Sequence, residues 1–222
     1  MKFDTVKAIV FDAYGTLFDV HSVKKKCRSV FPERGGEISQ IWRGKQLEYS
    51  NLRSLMGRYR PFSQVTREAL RFACKDLGLS LDQGKEEVLM EAYLGLAPYE
   101  EVGEVLAKLK GKHLAILSNG SHDMLDPLVE KNHFDHYLDQ VISVDDVKQF
   151  KPTPAAYSCV LDNFPVKREE VLFLSSNPWD ISGANNFGFH TAWVNRQNDT
   201  MDQMGFNPDT VVHDLKSLPA LV

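Results

Sequence analysis

A chain of 222 residues, 43% of them apolar and with a formal net charge of −4, is long enough to bury a sizeable core and lacks the basic surface that nucleic acid requires. Three cysteines (Cys27, Cys74, Cys159) without CxxC or Cys/His ligand spacing speak against a disulfide framework and a structural zinc site. No apolar stretch approaches the roughly 20 residues of a membrane span and the first residues carry no leader pattern, so a soluble cytoplasmic protein is expected.

The run Val6–Phe11 is almost wholly apolar, as expected of a strand buried on both faces of a parallel sheet, and it ends on Asp12. From about 19 to 96 the pattern changes to amphipathic helices. One surrounds Ile41–Leu47, another takes in Val65, Ala69, Phe72, Ala73 and Leu77, and a third takes in Val88, Leu89, Ala92 and Tyr93, with Gly78 and Ala97-Pro98 as punctuation. The short basic cluster Lys24–Arg28 reads as a solvated face. Val102, Val105, Leu106 and Leu109 then fall at helical spacing. They are followed by a strand at Leu114–Leu117, a helix on Leu125, Leu128 and Val129, and a strand at Val141–Val144. Pro152 and Pro154 should start the helix that carries Tyr157, Val160, Leu161 and Phe164. Strands follow at Val171–Leu174 and Thr191–Val194, with a weaker one at Thr210–Val212. Alternating strands and helices give the fold class: α/β, a doubly wound parallel sheet with an inserted helical domain. Residues 1–18 and 97–222 form the Rossmann-like core and 19–96 the helical cap.

Ligands of open parallel sheets bind beyond the carboxyl ends of the strands. There the first strand delivers Asp12, with Tyr14, Gly15 and Thr16 next to it. The second delivers Ser118 and Asn119, and the strand ending at Leu174 delivers Ser175, Ser176, Asn177 and Asp180, while Lys151 precedes the two prolines. Any one of these is an ordinary turn or cap residue, and Asp180 also suits the cap of a helix starting near Ile181. Convergence of three strand ends beside one lysine favours a site. The seven histidines have no GxSxG elbow, HExxH or ligand spacing near them and receive no catalytic role.

The run Phe11-Asp12-Ala13-Tyr14-Gly15-Thr16-Leu17-Phe18-Asp19 resembles the first motif of the haloacid dehalogenase superfamily, and closely that of its (S)-2-haloacid dehalogenase branch. Ser118-Asn119-Gly120, Lys151-Pro152 and Ser175-Ser176-Asn177-Pro178-Trp179-Asp180 resemble the second, third and fourth motifs, in order and along the whole chain. Phosphatases of the superfamily place a second Asp two residues after the nucleophile and an acidic pair in the fourth motif to hold magnesium. Here Tyr14 and Ser175-Ser176-Asn177 stand at those positions. No metal or cofactor is therefore expected, and a magnesium-dependent small-molecule phosphatase is the alternative; a non-catalytic scaffold on the same fold is a third reading.

The resemblance implies hydrolysis of a small halogenated carboxylic acid by water to a hydroxy acid and halide, with inversion and a preference for the L enantiomer. Asp12 is the nucleophile, kept ionised by Lys151 and by hydroxyl donors such as Thr16 and Ser175. Asp180 with Asn177 activates water, Ser118 and Asn119 hold the substrate carboxylate, and Arg43 receives the halide. Tyr14, Leu47, Phe62 and Trp179 wall the pocket, and Tyr157 is placed among the substrate-binding residues. Gly44 stands where relatives often carry Gln, which bears on pocket volume. A homodimer is expected from the resemblance alone.

Overall fold

The apolar run at the start of the chain forms a strand because it has no polar face to offer water: β1 (Ala8–Phe11) is buried at every position. Burial likewise dominates β2 (His113–Ser118), β3 (Gln140–Ser143) and β5 (His190–Val194), which show water only their first one or two residues, and is complete in β4 (Val171–Ser175). Strands covered on both faces must be composed in this way, and a fully buried Leu, Ile or Phe contributes roughly 1.5–3 kcal/mol. A short strand, β6 (Thr210–Val212), closes the edge. In this computed structural model, which describes residues 2–222, the six strands run in the order β3-β2-β1-β4-β5-β6 with every pairing parallel. The sequence reading holds for all six, with shifts of one or two residues at strand ends. Val6 is buried ahead of β1, and Val144 begins a 3-10 turn instead of closing β3.

The chain leaves β1 in one direction for β2 and β3, then returns to place β4 on its other side. The carboxyl ends of β1 and β4 therefore flank the crevice at which such sheets bind ligands.

Between β1 and β2 the chain builds α1 (His21–Val30), α2 (Gly35–Leu55), α3 (Phe62–Asp76) and α4 (Gln83–Leu94). α2 packs against α1 and α3, and α1 against α4. Their shared interior holds Ile38, Trp42, Val65, Ala69, Leu70, Ala73 and Leu89, all buried. It also holds a closed polar network. Trp42 Nε1 donates to the Thr66 carbonyl at 2.7 Å, Gln46 Nε2 to Thr66 Oγ1 at 2.9 Å, and Tyr93 Oη to Gln46 Oε1 at 3.1 Å. Buried polar groups paired in this way fix one packing of the helices. The basic cluster lies on α1 with Lys24, Lys25, Lys26 and Arg28 exposed, as read.

The two strands of chain that join this insert to the sheet are zipped together: Asp19 N–H donates to the Ala97 carbonyl and Tyr99 N–H to the Leu17 carbonyl, each at 2.9 Å. Beyond them lie α5 (Val102–Lys108), α6 (His122–Lys131), α7 (Pro154–Asn163) and α8 (Pro178–Phe187). α8 packs on β4 and β5, and α6 and α7 on β3. Pro154 and Pro178 occupy first-turn positions, where a missing N–H costs no helix bond. Among the described residues no helix is long and apolar enough to cross a membrane.

Candidate active site

Register brings the strand-end residues together. Phe11 pairs with Ile116 on one side and Leu174 on the other, so the next residue of each strand puts Asp12 between Leu117 and Ser175. The chain then turns away sharply through Gly15, whose φ is +85° and where a Cβ would stand 2.8 Å from Ser176 Oγ. Only glycine takes both constraints without strain. That turn returns Thr16 over Asp12. Thr16 Oγ1 donates to Asp12 Oδ2 at 3.3 Å and accepts the Ser176 N–H at 2.8 Å. Asp12 Oδ2 also accepts from Asn177 Nδ2 at 3.0 Å and from Ser175 Oγ at 3.5 Å.

The other oxygen, Oδ1, faces Lys151. This ammonium group is fully buried and uses its three N–H bonds on Asp12 at 2.9 Å, Asp180 at 2.6 Å and the Leu117 carbonyl at 3.0 Å, with Phe173 beneath it. Burial alone would push the Lys151 pKa down. The two carboxylates outweigh it and hold the group above its ordinary value.

Asp180 sits in the first turn of α8, three residues after Asn177, which takes the cap position; the alternative reading of Asp180 as a helix cap is therefore wrong. Its side chain points into the core. Oδ2 meets Lys151 and Oδ1 accepts the Tyr157 hydroxyl at 2.8 Å. Gly183, one turn on, makes room for this, since a Cβ there would collide with the Tyr157 hydroxyl. Burial, and then the charge of Asp12, push the Asp180 carboxyl up to about 6, against the pull of Lys151 and Tyr157. One cation between two buried carboxylates leaves a net negative charge in a low-dielectric place, and Asp180, wholly buried, is the acid that yields.

Beside Asp12 lies a small, partly open chamber of about 20 Å³, room for one water-sized group. Its walls include Tyr14, Leu47, Phe62, Ser118 and Trp179, with Arg43 reaching in from α2. Among the described residues Arg43 makes a single bond, from Nη2 to Asn177 Oδ1 at 3.3 Å, and has no acidic partner within salt-bridge distance. Ser118 Oγ accepts the Gly120 N–H at 3.0 Å, and its own proton has no acceptor among the described residues. The Tyr14 hydroxyl is buried without a partner, and burial, with Tyr93 and Asp12, raises its pKa so that it stays a donor. A second cavity, of about 200 Å³, adjoins the chamber and shares Tyr14, Arg43 and Asn177 with it. A wider depression, about 890 Å³, lies on the outer side of α3 and α4, where Arg67 and Arg71 pair with Glu86, and is unconnected with Asp12.

Four readings from sequence change in detail. Tyr157 is buried behind Asp180 and does not line the chamber, so it positions Asp180 and does not touch a ligand there. Asp180 likewise lies off the chamber wall, screened by Lys151. Asn119 is on the wall, but its side-chain oxygen is committed to the Lys151 N–H at 2.8 Å. Gly44 is exposed, with nothing within 4 Å of a Cβ placed there, so it does not set the chamber's volume. Sequence reasoning gave no role to the Leu117 carbonyl, Phe173 or Arg196. The last donates to the Thr16 carbonyl at 3.0 Å and pairs with Glu101 at 2.8 Å. No motif marks these residues, because carbonyls and packing partners are chosen by the register.

Residues 6–188 match the family model described as a haloacid dehalogenase-like hydrolase. The chain is 47% identical to an (S)-2-haloacid dehalogenase of Pseudomonas putida, over 96% of this chain and 95% of that protein. It is 42% identical to a haloacetate dehalogenase of Moraxella sp. strain B, over 98% of each. Among solved structures it resembles the L-2-haloacid dehalogenase of Xanthobacter autotrophicus with chloropropionic acid covalently bound. There the TM-score is 0.93 and the identity 43%, covering 97% of this chain and 98% of that one.

Proposed function

The chain belongs to the haloacid dehalogenase-like hydrolases, and from that membership and the chamber's geometry we infer that it hydrolyses (S)-2-haloacids to (R)-2-hydroxy acids and halide. The observation that carries this is Asp12: one carboxylate oxygen on the Lys151 ammonium, the other under three neutral donors, beside a chamber walled by apolar side chains and one unpaired arginine. A weak nucleophile becomes effective when it is kept ionised, aimed and dried. The covalently held chloropropionic acid of the Xanthobacter relative supports a covalent path.

Asp12 attacks C2 from behind the carbon–halogen bond; an ester forms between them and the halide departs with the bonding pair. Ser118, through its free hydroxyl proton, and Asn119 hold the substrate carboxylate, and the Arg43 guanidinium faces the charge that gathers on the halogen. Tyr14, Leu47, Phe62 and Trp179 exclude water during displacement. Water, oriented by Asn177, then adds to the Asp12 carboxyl carbon; its proton reaches Asp180 by way of Lys151, which hands one proton on as it takes one. The acyl–oxygen bond breaks, the departing alkoxide takes the proton of the regenerated Asp12 carboxyl, the inverted hydroxy acid leaves, and Asp180 returns its proton to solvent. Thr16, Ser175 and Lys151 carry the negative charge that returns to Asp12. The chamber is far smaller than a haloacid, so the α2–α3 side must part from the strand ends to admit substrate.

The magnesium-dependent phosphatase is not favoured. A divalent ion takes several oxygen ligands, carboxylates among them, and here two carboxylates share a buried ammonium that such an ion would have to displace. We further place the core at 1–18 and 97–222 and the cap at 19–96, consistent with the zipped crossings at 17–19 and 97–99. A homodimer is supported by the exposed Leu52, Leu55 and Met56 on and just beyond α2, and a cytoplasmic location by three buried free thiols.

Halide release from the separate L and D enantiomers of 2-chloropropionate in EDTA, with product configuration read by chiral chromatography, tests this. L-selective release giving D-lactate, lost in Asp12→Asn, is expected. Magnesium-dependent hydrolysis of phosphate esters in place of halide release would overturn it.

A further inference from the structure

Among the described residues three buried side-chain polar atoms lack any hydrogen-bond partner, and two of them, the Tyr14 hydroxyl and Arg196 Nε, belong to residues on the wall of the 200 Å³ cavity. Buried donors without acceptors are costly and rare in folded proteins. Here both orphans donate, and neither Nε–H nor the neutral phenol of Tyr14 calls for anything but an electron-rich partner. Arg43 adds a guanidinium that meets only the neutral Asn177. The Arg43 guanidinium, the Tyr14 hydroxyl and the Nε–H of Arg196, whose Nη2 alone meets an acid, thus run from the chamber wall to the far side of the cavity.

The arginine at that far side is built in. Its guanidinium stacks 3.6 Å from the Tyr99 ring centroid, while Nη2 is shared between the Thr16 carbonyl and Glu101 Oε1. The group is held in place from one edge and its Nε edge is left unpaired. The acid on this wall, Asp199, is exposed, and His21 is engaged with Gln197.

We propose that this cavity is an anion subsite for the leaving halide, in which Arg43 and the Tyr14 hydroxyl pass the ion from the chamber and Arg196 holds it clear of the Asp12 ester. The proposal rests on the dehalogenation reading and extends it. A chamber that already has to widen from about 20 Å³ to take the substrate has little room for a halide beside an esterified acyl chain and an attacking water. The ion has to move before the ester is cut, and the shared wall formed by Tyr14, Arg43 and Asn177 is the route the geometry offers. Asn177 bridges the two spaces, bonded to Arg43 on one oxygen and to Asp12 through its nitrogen. Departure of the halide therefore frees Asn177 to meet the water.

The direct test is bromide alone, soaked into crystals of the whole protein and located by its anomalous scattering, which needs no turnover. Bromide within hydrogen-bond distance of Arg196 is expected; bromide found only at surface lysines, or nowhere, overturns the subsite. The kinetic test is inhibition of 2-chloropropionate turnover by added bromide. Arg196→Gln is expected to weaken that inhibition about tenfold, with Arg196→Lys, which keeps the charge and the Glu101 pairing, intermediate. Equal inhibition in all three proteins overturns the role of Arg196. Absence of halide release from the unsubstituted protein is a separate outcome and would strike the dehalogenation reading instead.

Discussion

The ends of β1 and β4 and the inner face of α2 meet across the same chamber, and they are built in opposite ways. On the sheet side the charged groups are all spoken for. Lys151 spends all three protons, Asp12 accepts four bonds, and Asp180 is closed in by Lys151 and Tyr157. On the helical side the one charged group, Arg43, makes a single 3.3 Å bond, and Leu47 and Phe62 beside it offer only surface. A group that must keep its charge state and aim is locked in place. One that must receive a departing ion, on a wall that opens to admit substrate, is left with its donors unspent.

The comparison predicts that sheet-side substitutions damage fold and chemistry together while helix-side ones damage chemistry alone. Lys151→Met leaves two buried carboxylates with no cation, so unfolding free energy in denaturant should fall by about 3–5 kcal/mol, with turnover lost. An unchanged denaturation midpoint would break the contrast. Asp180→Asn is milder. The displacement survives and ester hydrolysis does not, so halide release should stop after one equivalent per site in a rapid-mixing assay.

In the unsubstituted enzyme the same residue sets the acid limb. Asp180 titrates at about 6 in the folded protein against an ordinary 3.8, and it must be ionised to take a proton. Activity should rise with pH through about 6, while stability linked to this group declines between 3.8 and about 6 because the folded state there binds the extra proton. Arg43→Ala should lower kcat by about 10²–10³-fold yet shift unfolding free energy by no more than about 0.5 kcal/mol. A large loss of stability there would show that the helical side is as tightly built as the sheet. Smallest in its effect on turnover is Tyr157→Phe. It should move the acid limb upward from about 6, because the lost hydrogen bond had favoured the carboxylate, and cost about 1–3 kcal/mol for the acceptor left unsatisfied.

Much of this was legible in the chain itself. Fully apolar runs ending on Asp12, Ser118 and Ser175 announce buried parallel strands with polar tips, since only a sheet covered on both faces tolerates them. The helical spacing of Val65, Ala69, Phe72 and Ala73 announces α3 in the same way. Asp12, Lys151, Ser175 and Asn177 were readable as one site because they occupy recognisable positions after strands. Tyr157 was readable as present but not in its task, since its aromatic ring suits a pocket wall as well as a core. Only the packing of α7 on α8, with Gly183 between, turns its hydroxyl to Asp180.

Local pattern thus determined which segments are strands, which are helices, and which residues carry charge to the sheet's edge, because burial and hydrogen bonding constrain each segment over a few residues. The tertiary structure decided everything that depends on two distant segments meeting. Register set Asp12 between Leu117 and Ser175, and the sheet and α8 enclosed the ammonium between Asp12 and Asp180. The meeting of α2 with the strand ends left Arg43, Tyr14 and Arg196 facing a cavity with donors unmatched. Those contacts span 139 residues for Lys151 with Asp12 and 134 for Arg43 with Asn177, and no local propensity reaches across such distances.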